Sequence, residues 1–532
     1  MAVLPTHAGA RAFRPYPAVG GGPWDAIVIG SGMGGMSCAA ALARYGRRVL
    51  VLEQHYVPGG YTHMFSRKGF HWDVGVHAIG EMGERDLPAR MLRWLTGGGV
   101  EMVSLGNPYD RFRLPGDFEI GFPDSKAAFV AELEARFPDE VPRIRRYVKA
   151  VGKAAGYAMA FFAFKSFPEA LERWGNRLVH LVHRDWWATT TAEVLDELGI
   201  HGRLRTALTV QWGYIGSIPS ESSFAVHALT HTHFWNGGYY PRGGSKVLAE
   251  RLLGAVLEAG GEVVSRASVA EVLVERGRAA GVRMADGREL RAPAVISAAG
   301  AKTTVNALVP AEYRESEWAA AIRAVPDSPS YIGLNLGFEG DVRAAGASPA
   351  NLWLYSSWDN EQTVWDPSDP GARPHILYIS FPSLKDPDHV EGERRRHTGE
   401  CITFVPWDLF ARWEDTDLRT RPEAYRELKE DIEERLLAEL REALPELMSM
   451  LVHAELSTPL TAQHFARASR GAIYGLAATP ARFRCAALRT RTPIRGFYMT
   501  GVDVASLGVV GAMTSGMLTA AALEKRVYLK LL

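Results

Sequence analysis

Cysteine is scarce in this chain: Cys38, Cys401 and Cys485 are the only three in 532 residues, far apart and in no C-x-x-C spacing. That excludes a disulfide framework and a cysteine-built metal centre, and it fits a reducing cytoplasm. An excess of one charge is also lacking, with 60 Lys+Arg against 60 Asp+Glu. No global field therefore favours nucleic acid or another polyanion as a partner. No uninterrupted apolar run reaches the roughly 18 residues that a spanning helix requires. Residues 1–23 carry Pro, Gly, Ala and the arginines Arg11 and Arg14 instead of the apolar core of a secretory signal, and they read as a flexible N-terminal arm. What the chain has is bulk. Its 532 residues at 47% hydrophobic content leave room for more than one domain.

The organising stretch runs from Asp25 to Gly75. Ala26-Ile27-Val28-Ile29 is a short apolar run suited to a strand buried on both faces, and it enters Gly30-Ser31-Gly32-Met33-Gly34-Gly35 directly. Gly30 allows a tight turn, Gly32 lets backbone approach a pyrophosphate, and Gly35 lets the following helix pack against the strand. A second apolar strand, Arg48 to Leu52, ends at Glu53, 18 residues past Gly35. An acid at that distance accepts hydrogen bonds from a ribose 2′-hydroxyl and repels a phosphate there. The unit therefore predicts an adenosine diphosphate with an unphosphorylated ribose.

Pro58-Gly59-Gly60 and Gly69-Phe70-His71-Trp72-Asp73-Val74-Gly75 follow. With them the sequence resembles the flavin-dependent amine oxidase and phytoene desaturase superfamily, in which a GG doublet and a GxxxDxG element lie along FAD. Further likeness comes from Gly237-Gly238-Tyr239-Tyr240-Pro241-Arg242-Gly243-Gly244-Ser245, from Ala298-Ala299-Gly300 and from Gly496 to Gly511. The resemblance implies FAD as cofactor. For its dinucleotide half it implies Gly30, Gly32, Met33, Gly34, Gly35, Glu53 and Gln54. Gly59, Gly60, Tyr61, Asp73 and Gly75 would lie along it, with Val269, Ala299 and Gly300 from the middle of the chain. Gly501 and Asp503 would meet the ribityl chain, and the helix start at Val510 and Gly511 would face the N1–C2 edge of the isoalloxazine. A helix N-terminus there stabilises the anionic reduced ring by about 0.3 to 2 kcal/mol.

The implied fold is α/β: a Rossmann-like FAD-binding domain of glutathione-reductase type, discontinuous in sequence, beside a mixed α+β substrate domain bearing a helical cap. The expected partition is 24–90, 237–325 and 485–532 for the FAD domain, and 91–236 with 326–484 for the substrate domain. From Leu87 to Trp235 the pattern reads as helical, with no convincing strand series. Strands are expected at Tyr331 to Gly337, Leu352 to Ser356, His375 to Phe381 and Cys401 to Val405. Glu391 to His397 reads as a solvated loop. Ala155 to Phe164 is apolar all round, so it is either a buried cap helix or the wall of a tunnel for an apolar substrate. In the second case it would rest on a membrane with Trp174, Trp186, Trp187, Arg173, Arg177, His180, His183 and Arg184 at headgroup level. His227 and His231 have an i, i+4 spacing that suits a metal, but no glutamate or third ligand accompanies them, so packing and hydrogen bonding are expected and no metal site.

Four features resemble the retinol saturase and carotenoid isomerase branch. They are His77 just after the flavin element, Phe381-Pro382-Ser383-Leu384-Lys385-Asp386-Pro387, Arg470-Gly471-Ala472-Ile473-Tyr474-Gly475 and Thr500-Gly501-Val502-Asp503-Val504. The branch implies an apolar polyene lipid, carotenoid-like or retinoid-like, whose carbon–carbon double bond is saturated, desaturated or isomerised. Each reaction needs a positioned proton donor, for which His77, Glu81 and Tyr240 are the candidates, with Arg242 as an electrostatic partner. Isomerisation of a polyunsaturated fatty acid, amine oxidation and non-catalytic carriage of a prenyl lipid are the alternatives within the fold. No second strand-GxGxxG-helix unit is present to bind a nicotinamide nucleotide, so the electron donor or acceptor stays open.

Overall fold

The computed structural model describes residues 13–164, 175, 184–362 and 364–531. Its first layer is a six-stranded parallel sheet in the order Arg14–Pro15, Glu262–Ser265, Val49–Leu52, Ala26–Ile29, Val295–Ser297, Phe497–Met499. The four strands from Val49–Leu52 to Phe497–Met499 are short, almost continuously apolar and nearly all buried, as strands covered on both faces must be. Arg14–Pro15 is a departure from the loose arm expected over 1–23. It extends the sheet edge beside Val264 and Ser265, where the backbone polar groups find ladder partners.

Three helices cover one face: Met33–Ala43, Lys246–Glu258 and Gly508–Leu523. The first and last pack close because small residues meet. A Cβ on Gly516 would stand 2.5 Å from the Gly34 carbonyl, and one on Gly35 would stand 2.2 Å from the Gly30 carbonyl. The other face carries an antiparallel meander, Val269–Glu275, Arg278–Met284 and Glu289–Arg291.

The second layer is a seven-stranded mixed sheet, ordered Leu451–Ser457, Ser330–Glu339, Arg396–Val405, Ile376–Ser380, Asn351–Tyr355, Asp110–Leu114, Phe118–Phe122. Two of these strands correct the helical reading of residues 87–235. Asp110–Leu114 and Phe118–Phe122 form a hairpin whose first strand alternates buried and half-buried residues. Arg111 and Arg113 share Glu119 across it, and that density of charge hid the alternation. Arg396 and His397 likewise belong to a strand and not to a solvated loop: they pair with Glu339 and Phe338, and His397 is buried.

Over this sheet lie Val141–Phe164 and Phe224–Phe234. Tyr157, Phe161 and Phe162 pack against Trp187, Val226 and Phe483, and Phe162 also reaches the wall of an internal cavity. Arg173, Trp174, Arg177, His180 and His183 lie outside the described residues. No helix among the described residues is long and apolar enough to cross a membrane.

Candidate active site

The turn after Ala26–Ile29 opens onto a cavity of about 1640 Å³. That exceeds the roughly 300–1,000 Å³ of an ordinary small-molecule pocket, so a dinucleotide and a second molecule both have room. Gly30 takes φ +93°, and a Cβ there would press on the Ala298 carbonyl at 3.2 Å. Gly32 differs: a Cβ on it would meet nothing within 4 Å and would project into open space beside the first helix turn. That empty cradle, at a helix start with no side-chain cap, is the place for a pyrophosphate.

Glu53 is buried at the end of its strand. One carboxylate oxygen accepts from the Ser31 amide at 2.8 Å and the Ser31 hydroxyl at 2.6 Å, and the other accepts from the His55 amide at 2.8 Å. The Gly59 amide donates to Ser31 Oγ at 2.9 Å, which ties the GG doublet to the turn. A Cβ on Gly60 would stand 2.8 Å from Gly32 Cα. Met33, Gly34, Gln54, Gly60, Tyr61 and Gly75 line the cavity, whereas Gly35 and Gly59 support it from behind. Gln54 accepts from Arg467 Nε at 3.0 Å.

The middle and the end of the chain close the same cavity with Val269, Ala299, Gly300, Gly501, Val510 and Gly511. Asp503 lines it too, and its oxygens accept from the amides of Ala301 at 2.8 Å and Leu476 at 2.9 Å. Each oxygen keeps a second lone pair for a ligand hydroxyl. Arg482, fully buried and missed by sequence reasoning, donates to the carbonyls of Leu476 and Val502 and so locks this turn. The helix Gly508–Leu523 has no side-chain cap, and its first turn faces the cavity. These residues fit the cofactor: a backbone cradle at Gly32 that a Cβ would fill, an acid at the ribose distance and an uncapped helix start at the far end.

Two expected residues sit elsewhere. Arg242 is on the surface, with Nε 3.0 Å from Glu101 and Nη1 2.8 Å from Asp388, so the solvated guanidinium is no partner for the cavity. Tyr240 is buried behind the lining and donates to Asp73. Asp73 also accepts from the Ser245 amide at 3.2 Å and hydroxyl at 2.5 Å, joining the GxxxDxG loop to the YPxGGS turn. Burial, and then nearby Glu400, push its carboxyl up to about 6.

The remaining wall is the seven-stranded sheet, and strand register sorts it into two rows. Gly333, Ile402, Tyr378 and Trp353 stand opposite one another across four strands and line the cavity. Beside them runs a polar row in which Asn335 and Ser380 both lie opposite Glu400. His77 Nδ1 is 2.8 Å from Glu400 Oε2. Lys385 is buried beneath, with Nζ 2.6 Å from the His77 carbonyl, 2.5 Å from Asn351 Oδ1 and 2.7 Å from Ser380 Oγ. Asn351 passes the contact on to Asp110 at 2.7 Å, a carboxyl that burial pushes up to about 6.

Glu81 accepts from His233 Nδ1 at 2.9 Å, while the Gly80 amide donates to His233 Nε2 at 2.8 Å and so fixes the tautomer with the proton on Nδ1. His227 and His231 are buried, contact Tyr147 and the Leu208 carbonyl, and are held below the usual imidazole range by burial. Glu400, Lys385 and Asp110 were missed by sequence reasoning. An acid inside an alternating apolar strand was the available signal for Glu400.

The family described as flavin containing amine oxidoreductase matches residues 33–523. The all-trans-retinol 13,14-reductase of Danio rerio is 31% identical over 525 residues, covering 93% of this chain and 84% of that protein. The chloroplastic prolycopene isomerase of Arabidopsis thaliana is 25% identical over 518 residues, covering 93% and 82%. Among solved structures, cyclohexylamine oxidase from Brevibacterium oxydans IH-35A superposes with a TM-score of 0.58 at 18% identity, covering 96% of this chain and 99% of that one.

Proposed function

This chain belongs to the family of flavin-containing amine oxidoreductases, and we propose that within it the protein reduces a carbon–carbon double bond of an apolar polyene of retinoid or carotenoid type. The cofactor is FAD. One observation carries the reading: the cavity that holds the dinucleotide cradle is also walled by the apolar row Gly333, Ile402, Tyr378 and Trp353, bordered by the close imidazole–carboxylate pair of His77 and Glu400. An extended hydrocarbon can lie along such a wall without desolvating a charge. The relatives named retinol reductase and prolycopene isomerase support the same substrate class.

Gly32, Glu53 and Asp503 would hold the flavin, which in its reduced form would supply hydride to one carbon of a carbon–carbon double bond. His77 supplies the proton that the other carbon takes up, from a position in the cavity wall. The apolar row excludes water and holds the polyene flat. Because such substrates dissolve in bilayers, we place the working enzyme in the cytoplasm with peripheral contact to a membrane.

Anaerobic incubation of the dithionite-reduced protein with retinol, with lycopene isomers and with cyclohexylamine tests the reading by product mass. Two mass units gained by a polyene is the expected outcome. Unchanged mass with altered retention would assign isomerisation, and oxidation of the amine by the reoxidised protein alone would overturn the proposal.

A further inference from the structure

Glu400 is buried, lines the cavity, and neither of its oxygens has a hydrogen bond of good geometry among the described residues. A buried carboxylate left without donors is costly, and native proteins keep one mainly where function requires it. The group that approaches it is His77, whose Nδ1 lies 2.8 Å away. On the protein side of the same sheet face, Lys385 meets three acceptors, the His77 carbonyl, Asn351 Oδ1 and Ser380 Oγ. The three N–H donors of an ammonium match these three oxygens. Burial pulls it down only to about 8, with Glu400, Asp110 and Asp73 acting the other way.

Resting on the reduction proposed above, we propose that His77 and Glu400 act as one proton-delivering pair, and that Lys385 is the positioning residue that anchors the His77 segment and sets a positive charge near Glu400. The other charged groups around the pair are Asp73 from the flavin loop, with Tyr240 behind it, and Lys385 from the turn after Ile376–Ser380, with Asp110 of the hairpin beyond Lys385. One buried cation thus stands among three buried carboxylates. Without it, mutual repulsion drives a carboxylate to take up a proton. A carboxyl group 2.8 Å from Nδ1 orients the imidazole in the wall. The imidazolium releases its proton into the new C–H bond on the carbon that did not receive hydride, using the π electron pair of the double bond, and the imidazole regains a proton from water.

The test has an arm that needs no turnover. In the flavin-free protein, a double-mutant cycle of His77→Asn and Glu400→Gln is measured by urea unfolding. It should show about tenfold coupling in the unfolding constant at pH 6 that fades by pH 9. Coupling that is absent or independent of pH overturns the pair, whatever the enzyme reduces. In the holoenzyme, Glu400→Gln should lower the pH at which reduction falls off by about one unit while flavin content and spectrum are kept. Lys385→Met should move the same limb in the same direction, with no further movement in the double variant. A Lys385→Met profile that superimposes on wild type, or effects that add, would remove lysine from the account. Should that variant not fold, Ser380→Ala, which deletes one of the three acceptors, serves for it. Wild type that reduces no polyene while the coupling stands overturns the functional reading alone.

Discussion

At the scale of single residues, two glycines of one turn have opposite duties. A Cβ on Gly34 would come within 2.6 Å of Gly501 Cα, backbone that cannot yield, whereas a Cβ on Gly32 meets nothing. Gly34→Ala should therefore lose about 1–3 kcal/mol of folding stability by overpacking. Gly32→Ala should unfold in the flavin-free form like wild type, yet retain at least about tenfold less flavin, because its methyl fills the space of a pyrophosphate. Thermal melts and the flavin-to-protein absorbance ratio check both. Asp110 supplies a second prediction. Its folded-state value of about 6 lies above the ordinary carboxyl value of 3.8, so its contribution is fully present only below the latter and is lost as pH rises from there through 6. Relative to Asp110→Asn, wild type should lose on the order of 3 kcal/mol across that window. Urea titrations at pH 4, 5, 6 and 7 measure the difference, and parallel curves would refute it.

Elements explain why these residues face one another. In Arg396–Val405 the side chains of Glu400, Ile402 and Phe404 point to the cavity while Cys401 and Val405 enter the core behind, the period of two that a strand imposes. Starting that strand at Cys401 cuts off Glu400, and this is how a sequence reading loses the acid. In the neighbouring strand Gly333 lies opposite Ile402, and a Cβ there would find no atom within 4 Å. Gly333→Phe should fill the cavity beside Ile402. FAD should still bind, while KM for a polyene rises at least about tenfold or binding is lost, since the aromatic ring displaces substrate from its wall. Unchanged binding of retinol, followed by fluorescence, would show that the polyene lies elsewhere. The first and last helices press together at Gly34 and Gly516, so the end of the chain reaches the turn near its beginning.

Across the whole molecule, the cavity is assembled from the start, middle and end of the chain. Glu53, Val269 and Asp503 all line it, though hundreds of positions separate them. A ligand that bridges them binds only the folded state, so FAD at about a hundred times its Kd should add about 2.7 kcal/mol and raise Tm by several degrees. Calorimetry of apo and reconstituted protein measures this, and a Tm indifferent to FAD would mean that the three stretches do not share it. The sequence by itself determined the dinucleotide turn, the acid at the ribose distance and the family likeness, because these rest on local spacing: a glycine turn between an apolar strand and a helix has the same geometry in most surroundings. Only the tertiary structure decided which ionisable groups meet. His77, Glu400, Lys385 and Asp110 come from four separate segments, and the folded sheet sets His77 and Glu400 in the cavity wall with Lys385 and Asp110 behind it. It also withdrew Arg242 to the surface and set Tyr240 behind Asp73. Register and burial are properties of the assembled sheets, and neighbours along the chain carry no record of them.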